Sequence, residues 1–405
     1  MKKLHIAMVV DTYDTRTGGI VSTKRFTEQL RANGHKVTII SASCKDPERV
    51  LMKKFYPPFG KKIMKKMKMV FAWPDEEKIK AAIEGVDLVH IQLPFYLGTK
   101  TISLARKLHL PVVTSFHVQA ENITHNIGIT SQNVNDQIYR FFVSSFYNKS
   151  DLVICPSKFA MQELKHYHLG AEHKIISNGY TETFYPQRVN RKFPNKFVVL
   201  TVGRLSAEKK QQELIQAINH SKYSPNIQLV IVGEGPLKSE LKKEGKVLHC
   251  NPLFLSKLTP EKLAFWYNQA DLYVHCGRVE LEGMTVLEAL ACGTPPLIAN
   301  APKSASKQFA LDHRSLYNSP MDLTRKIDYW YEHPLELLKS KERYSHLAKR
   351  YPIKKSLKEL EKAYERAIII NSKNHKNKYK ENEGPAWKQF LFRLGAKYEF
   401  SLRRR

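Results

Sequence analysis

The sequence predicts an α/β protein of two domains, each a parallel sheet flanked by helices, and three observations carry that expectation. Short apolar runs alternate with helix-length amphipathic segments, which is the pattern of parallel strands joined by helices. The alternation starts afresh near the middle of the chain. Finally, 405 residues exceed one ordinary core but suit two of nearly equal size.

The expected strands follow in order. Residues 4–10 form a first buried strand; the apolar run includes His5 and stops at Asp11, too early for a secretory signal despite the leading Met1-Lys2-Lys3. Residues 37–41, 88–91, 112–116 and 152–155 complete the first series. Residues 197–202, 228–232, 272–276 and 296–299 form the second. The restart falls at 188–195, a polar stretch with prolines on either side, so the expected domains are 1–188 and 189–370, with 371–405 as a polar linker and tail.

Composition narrows the function. Lysine and arginine number 66 against 38 acids, a net charge of +28, which draws the chain toward nucleic acid, phosphate-bearing substrates or an acidic membrane. No nucleic-acid-binding motif is visible, and nucleic acid is not expected as a partner. The five cysteines are scattered with no C-x-x-C pair, which suits a reducing compartment and argues against a zinc ribbon. No run approaches the roughly twenty apolar residues that span a bilayer, so membrane contact is expected to be peripheral.

Two segments stand outside the rhythm. Lys53, Lys54, Lys61, Lys62, Lys65, Lys66 and Lys68 occur without an acid among them, and Trp73 follows. Plotted at about 100° per residue, Ile63, Met64, Met67, Val70 and Phe71 share one stripe, predicting an amphipathic helix at a membrane surface. The tail repeats the pattern: Trp387, Phe390, Leu391, Leu394, Tyr398 and Leu402 share a face.

Three motifs carry chemistry. Gly18-Gly19, after the first strand, lets backbone approach a bound group and offers helix-terminal amides to a phosphate, although such turns also need glycine for geometry alone. VGRLSAEKK sets Arg204 and Lys209 beyond the strand that opens the second domain, where two cations can hold a diphosphate; solvated surface cations are the alternative. RVELEGMTVLEALACGTPP is the most specific. Glu280 and Glu288 flank Gly283-Met284-Thr285, which opens a helix whose free amides can receive a phosphate, with Glu288 a turn and a half inside it. His117 ends a first-domain strand. His166, His168 and His173 are expected in a solvated loop rather than on a metal.

These motifs, with Gly34-His35 downstream of the first, resemble family 4 of the retaining glycosyltransferases in the expected order over roughly residues 4 to 310. The resemblance implies a GT-B fold, two Rossmann-like domains facing across a cleft. It implies donor-diphosphate contacts from Arg204, Lys209 and the amides of Gly18, Gly19, Gly283, Met284 and Thr285. It places Glu288 on the ribose, Glu280 on the transferred sugar and His117 near the reacting centre. No D-x-D motif occurs, so no metal and no permanently bound cofactor are expected; the donor is a nucleotide-sugar, UDP-glucose first.

SFHVQAENITHNIG, RVELEGMTVLEALACGTPP and KSASKQFALD are similar more narrowly to bacterial diacylglycerol glucosyltransferases. That similarity implies a hexose transferred to diacylglycerol or monoglycosyldiacylglycerol at the cytoplasmic face of an anionic membrane. A soluble acceptor in capsule, teichoic-acid or exopolysaccharide assembly is the second expectation. Two departures stand out: Glu282 beside the glycine turn, and Lys210 where the family usually has glycine.

Overall fold

A computed structural model describes residues 2–15, 17–56, 70–125 and 128–374. The first series of strands is β1 (His5–Val9), β2 (Lys36–Ser41), β3 (Arg49–Leu51), β4 (Lys53–Phe55), β5 (Phe71–Trp73), β6 (Leu88–Ile91), β7 (Val112–Ser115), β8 (Leu152–Cys155) and β9 (Glu172–Ile175). Seven of these form a parallel sheet in the order β3-β2-β1-β6-β7-β8-β9. The second series is β10 (Phe197–Val202), β11 (Ile227–Val232), β12 (Leu253–Leu255), β13 (Leu272–His275), β14 (Pro296–Ala299) and β15 (Leu316–Tyr317), ordered β12-β11-β10-β13-β14-β15. Ile227–Val232, Leu272–His275 and Pro296–Ala299 are buried along their whole length and Phe197–Val202 at all but its ends, which is why they read as apolar runs. The edge strands β3, β9, β12 and β15 gave no such signal, because they are short and only partly covered.

The chain passes from the first domain to the second once and then returns. Beside the outgoing strand of chain, Tyr180 bridges Pro352, and Ile353 N donates to Tyr180 O at 2.9 Å. The last helix, Ile353–Asn374, then packs on the first domain: Ile353, Leu357, Leu360, Ala363, Tyr364 and Ala367 belong to its core. This corrects the expected 189–370 boundary and the start of the polar linker at 371. The apolar stripe announces a helix, but periodicity cannot say which core it covers. Polar contacts fix the choice: His90 Nδ1 lies 2.8 Å from Tyr364 Oη, and Asn371 Nδ2 donates to His109 O at 2.7 Å.

A second correction concerns the basic segment. Lys53, Lys54, Phe71 and Trp73 lie in the antiparallel ribbon β4-β5, with Lys53 opposite Trp73, and not in a helix. Aromatic edges hold this ribbon, Phe55 against Trp73 at 5.2 Å, Trp73 against Tyr96 at 5.3 Å and Phe71 against Phe95 at 4.7 Å between ring centres. Buried Asp11, at the end of β1, accepts a bond from Ala72 N at 3.0 Å and so ties the ribbon to the sheet. Lys61, Lys62, Lys65, Lys66, Lys68 and Trp387 lie outside the described residues. His166 closes the helix Lys158–His166 and His173 lies in β9, so that trio is not one loop.

Replacing Tyr364 by Phe would leave a buried imidazole nitrogen without its partner. The expected cost is about 1–3 kcal/mol of folding stability, read by urea unfolding; a change under about 0.5 kcal/mol, the range of surface substitutions, would show the helix to be loosely held.

Candidate active site

Strand order reverses at β1 in the first sheet and at β10 in the second. Loops leaving neighbouring strands there diverge to opposite faces and open a crevice at the carboxyl ends. Gly18-Gly19 follows β1, Arg204 follows β10 and the Glu280–Glu288 segment follows β13 beside it, while His117 comes from the end of β7, one strand further on.

In the first domain the helix Gly18–Ala32 follows β1 and His117 follows β7. A Cβ on Gly19 would stand 2.8 Å from His117 Cβ, so only glycine allows this approach. His117 Nε2 lies 3.0 Å from Gln92 Oε1, which also accepts from Thr23 Oγ1 at 3.2 Å while Gln92 Nε2 points at Met8 Sδ. That network assigns the proton to Nε2 and leaves Nδ1 as an acceptor. Burial pushes the His117 pKa down to about 4, so the ring is neutral at pH 7.

In the second domain, Arg204 follows β10 and is partly buried; burial pushes its pKa down against the pull of Glu208. Its guanidinium has no hydrogen-bond or ion-pair partner among the described residues. Lys209, in the turn Ala207–Lys209, pairs with Glu280 Oε1, and His275 Nε2 lies 3.3 Å from the same oxygen. Burial would raise the Glu280 pKa, but the Lys209 ammonium and His275 together outweigh it and hold it down to about 2. Lys210 caps the next helix in the left-handed conformation, φ 47°, so the turn expected to differ at this position keeps a backbone that glycine favours.

The helix Met284–Ala291 starts from Gly283 at φ 101°, where a Cβ would stand 2.5 Å from Ser306 Oγ. Its first amides lack intrahelical acceptors by geometry and sit at the positive end of the dipole. Glu288 is buried; its Oε1 accepts from Arg25 Nη2 at 2.5 Å and its Oε2 from Tyr267 Oη at 3.1 Å. Glu282 is buried away from that turn's mouth. Its Oε2 accepts from Asn178 N at 3.0 Å and Asn178 Nδ2 at 2.6 Å, and burial pushes its pKa up to about 7.

Lys303 joins the two domains. Its ammonium lies 2.8 Å from Glu163 Oε2 and 3.5 Å from Glu121 Oε1, while its carbonyl accepts from both Glu280 N and Gln119 Nε2 at 3.1 Å. Gln119 is two residues from His117, so the backbone of Glu280 and the chain just past His117 meet on one carbonyl across the domain boundary. The structure therefore gathers Gly19, His117, Lys209, Glu280 and the Gly283–Glu288 turn, with Arg204 on the adjoining loop. It sets Lys53, Lys54 and Trp73 apart on the ribbon. Arg25, Asn178 and Lys303 were not singled out from the sequence. Lys303 lies in the KSASKQFALD motif and Arg25 follows Gly18-Gly19 by under two turns, but only folding brings either to a carboxylate.

Two Rossmann-like domains with their switch points opposed across a cleft, cations on one side and a glycine-capped helix beside them, define a glycosyltransferase of GT-B architecture. The profile described as Glycosyltransferase Family 4 matches residues 17–183, and that of Glycosyl transferases group 1 matches residues 186–351. The chain belongs to family 4 of the glycosyltransferases. It is similar to an alpha-monoglucosyldiacylglycerol synthase of Streptococcus pneumoniae, 26% identical over 74% of this chain and 72% of that one. A GDP-mannose-dependent alpha-mannosyltransferase of Corynebacterium glutamicum is 24% identical over 73% and 72%. The crystal structure of Anabaena Alr3699/HepE in complex with UDP-glucose shares the fold, with a TM-score of 0.70, 16% identity, and coverage of 89% of this chain and 99% of that one.

The buried groups set opposing pH limits. His90, pushed down to about 3 by burial, and His117 at about 4 stay neutral when folded, so their contribution is complete above the unfolded value of 6.5 and is lost as pH falls toward 4 and 3. Glu282 and Asp11, both pushed up to about 7 from 4.5 and 3.8, contribute fully at acid pH and less as pH rises toward 7. The acid pair therefore lowers stability between about pH 4 and pH 7, the interval in which the histidines restore it, and neither pair changes it above 7. Glu282→Gln is expected to make thermal stability rise more steeply from about pH 4.5 to pH 7 than in the unmodified protein; an unchanged profile over that interval would mean Glu282 ionises as readily in the folded protein as in the unfolded chain.

Proposed function

We propose that this glycosyltransferase moves a hexose, glucose from UDP-glucose, onto the hydroxyl of diacylglycerol or monoglycosyldiacylglycerol with retention of the α configuration. One observation supports this reading: Lys209 pairs with Glu280, whose backbone amide shares the Lys303 carbonyl with Gln119, two residues from His117, so the second-domain motif lies against the first-domain strand end. The acceptor is inferred from the diacylglycerol synthases to which the chain is similar.

The diphosphate lies against Arg204, Lys209 and the amides of Gly283, Met284 and Thr285, with Gly18 and Gly19 closing from the first domain. Glu288 takes the ribose. Glu280 contacts the hexose and, tied to Lys209, is a poor candidate for a covalent nucleophile. Transfer therefore proceeds on one face. The acceptor oxygen bonds to the anomeric carbon as the bond from that carbon to phosphate oxygen breaks, and the hydroxyl proton passes to the departing diphosphate. Positive charge around that diphosphate is the main source of catalysis. Neutral His117, its Nδ1 free to accept, orients a hydroxyl of the hexose. No side chain in this scheme requires a metal ion.

The ribbon β4-β5 presents exposed Lys53, Lys54 and Trp73, a surface suited to an anionic leaflet at the cytoplasmic face, and the sequence between its two strands carries five more lysines. A soluble acceptor is the second possibility and shares the donor site.

Arg204→Ala and Lys209→Ala are each expected to lower turnover by about 10²–10³, with product identified from labelled UDP-sugars and a panel of lipid acceptors. Near-normal turnover in both variants would refute the mechanism. Neutralising Lys61, Lys62, Lys65 and Lys66 is expected to weaken binding to anionic vesicles at least about tenfold, given ~1 kcal/mol per lysine. Activity indifferent to vesicles would favour the soluble acceptor.

A further inference from the structure

Glu288 meets a residue of the opposite domain. Arg25 extends from the second turn of the helix Gly18–Ala32, and its Nη2 stands 2.5 Å from Glu288 Oε1, with side-chain exposures of 11% and 5%. The guanidinium also lies over the Phe184 ring, 5.8 Å from its centre, so its plane is held from a second side. Its other terminal nitrogen, Nη1, is buried and has no acceptor among the described residues. A guanidinium that served only as a strut between domains would be expected to satisfy both nitrogens, because a buried donor without an acceptor is costly.

Glu288 retains capacity of its own. Tyr267 has one hydroxyl proton, placed between Glu288 Oε2 at 3.1 Å and Thr285 O at 3.0 Å, and a carboxylate has about four acceptor directions. The carboxylate is thus compensated in charge, fixed in direction by Arg25 and still able to accept from hydroxyls.

We propose that Arg25 is a positioning residue for the nucleotide: it aims Glu288 at the donor's ribose, so that the first domain completes ribose recognition when the domains are closed. The proposal rests on the assignment of Glu288 to the ribose. It makes discrimination for ribose hydroxyls depend on a side chain across the cleft as well as on Glu288.

The test is calorimetric titration of the full chain with UDP, GDP and the 2′-deoxy and 3′-deoxy forms of whichever binds tighter. In the unmodified protein, loss of the bonded hydroxyl is expected to weaken binding about tenfold or more, because a site built around a hydroxyl penalises its absence. Arg25→Ala is expected to shrink that ratio to about threefold or less, and Arg25→Lys, which keeps the charge without the planar fork, to restore part of it. Should Arg25→Ala not fold, the intermediate ratio of Arg25→Lys decides. If Glu288→Gln keeps the full ratio, or neither nucleotide binds, the ribose assignment fails. If Glu288→Gln loses the ratio while the Arg25 variants weaken every nucleotide in parallel and keep it, Arg25 is only a strut and the proposal is overturned.

Discussion

A short segment that buries two carboxylates and partly buries a third needs three partners, and no single domain supplies them. Glu280, Glu282 and Glu288 lie within nine residues of chain, and a buried carboxylate without compensation is among the most costly things a protein can contain. Lys209 compensates Glu280 from the same domain, Asn178 binds Glu282 from the crossing segment, and Arg25 meets Glu288 from the other domain. The cleft is therefore built around this segment. Its acids serve the site and the domain interface at once.

Close packing imposes a matching constraint on the opposite wall. Gly19 abuts His117 and Gly283 abuts buried Ser306, each with no room for one further carbon, so both helix termini are packed tightly in place. Lys303 adds a tie by its backbone as well as its ammonium, linking the strand end that carries His117 to the amide of Glu280. Arg204, without a hydrogen-bond or ion-pair partner among the described residues, leaves the second domain with positive charge to offer while Lys209 is tied to Glu280. A nucleoside diphosphate is the kind of ligand such a surplus suits.

The returning helix gives the first domain an element that the chain reaches only after building the second. Tyr364 lies against His90, which in turn lies 2.8 Å from Ser115 Oγ at the end of β7, two residues before His117. The last helix thus supports the floor beneath the site. On the other side of β1, Asp11 fastens the basic ribbon to the sheet whose end carries Gly18 and Gly19. Chain crossing and ribbon together connect the site to the rest of the first domain.

By itself the sequence determined the parallel α/β class, the central strands of both sheets and the motif turns. Buried strands are continuous apolar runs, and glycines with spaced acids and cations are local signals. It also determined that the residues of GRLSAEKK and E-x7-E would flank strand ends. Edge strands, half-covered and short, left no such trace, and neither did the three-residue strands at Lys53–Phe55 and Phe71–Trp73, which are too short to show a period of two. Tertiary structure alone decided which core the last helix covers and which side chains answer the buried acids. Arg25 and Glu288 are 263 residues apart, Asn178 and Glu282 104. Local pattern fixes an element's type, but partnership across a cleft depends on where the chain brings its elements together, and no period in the sequence encodes that.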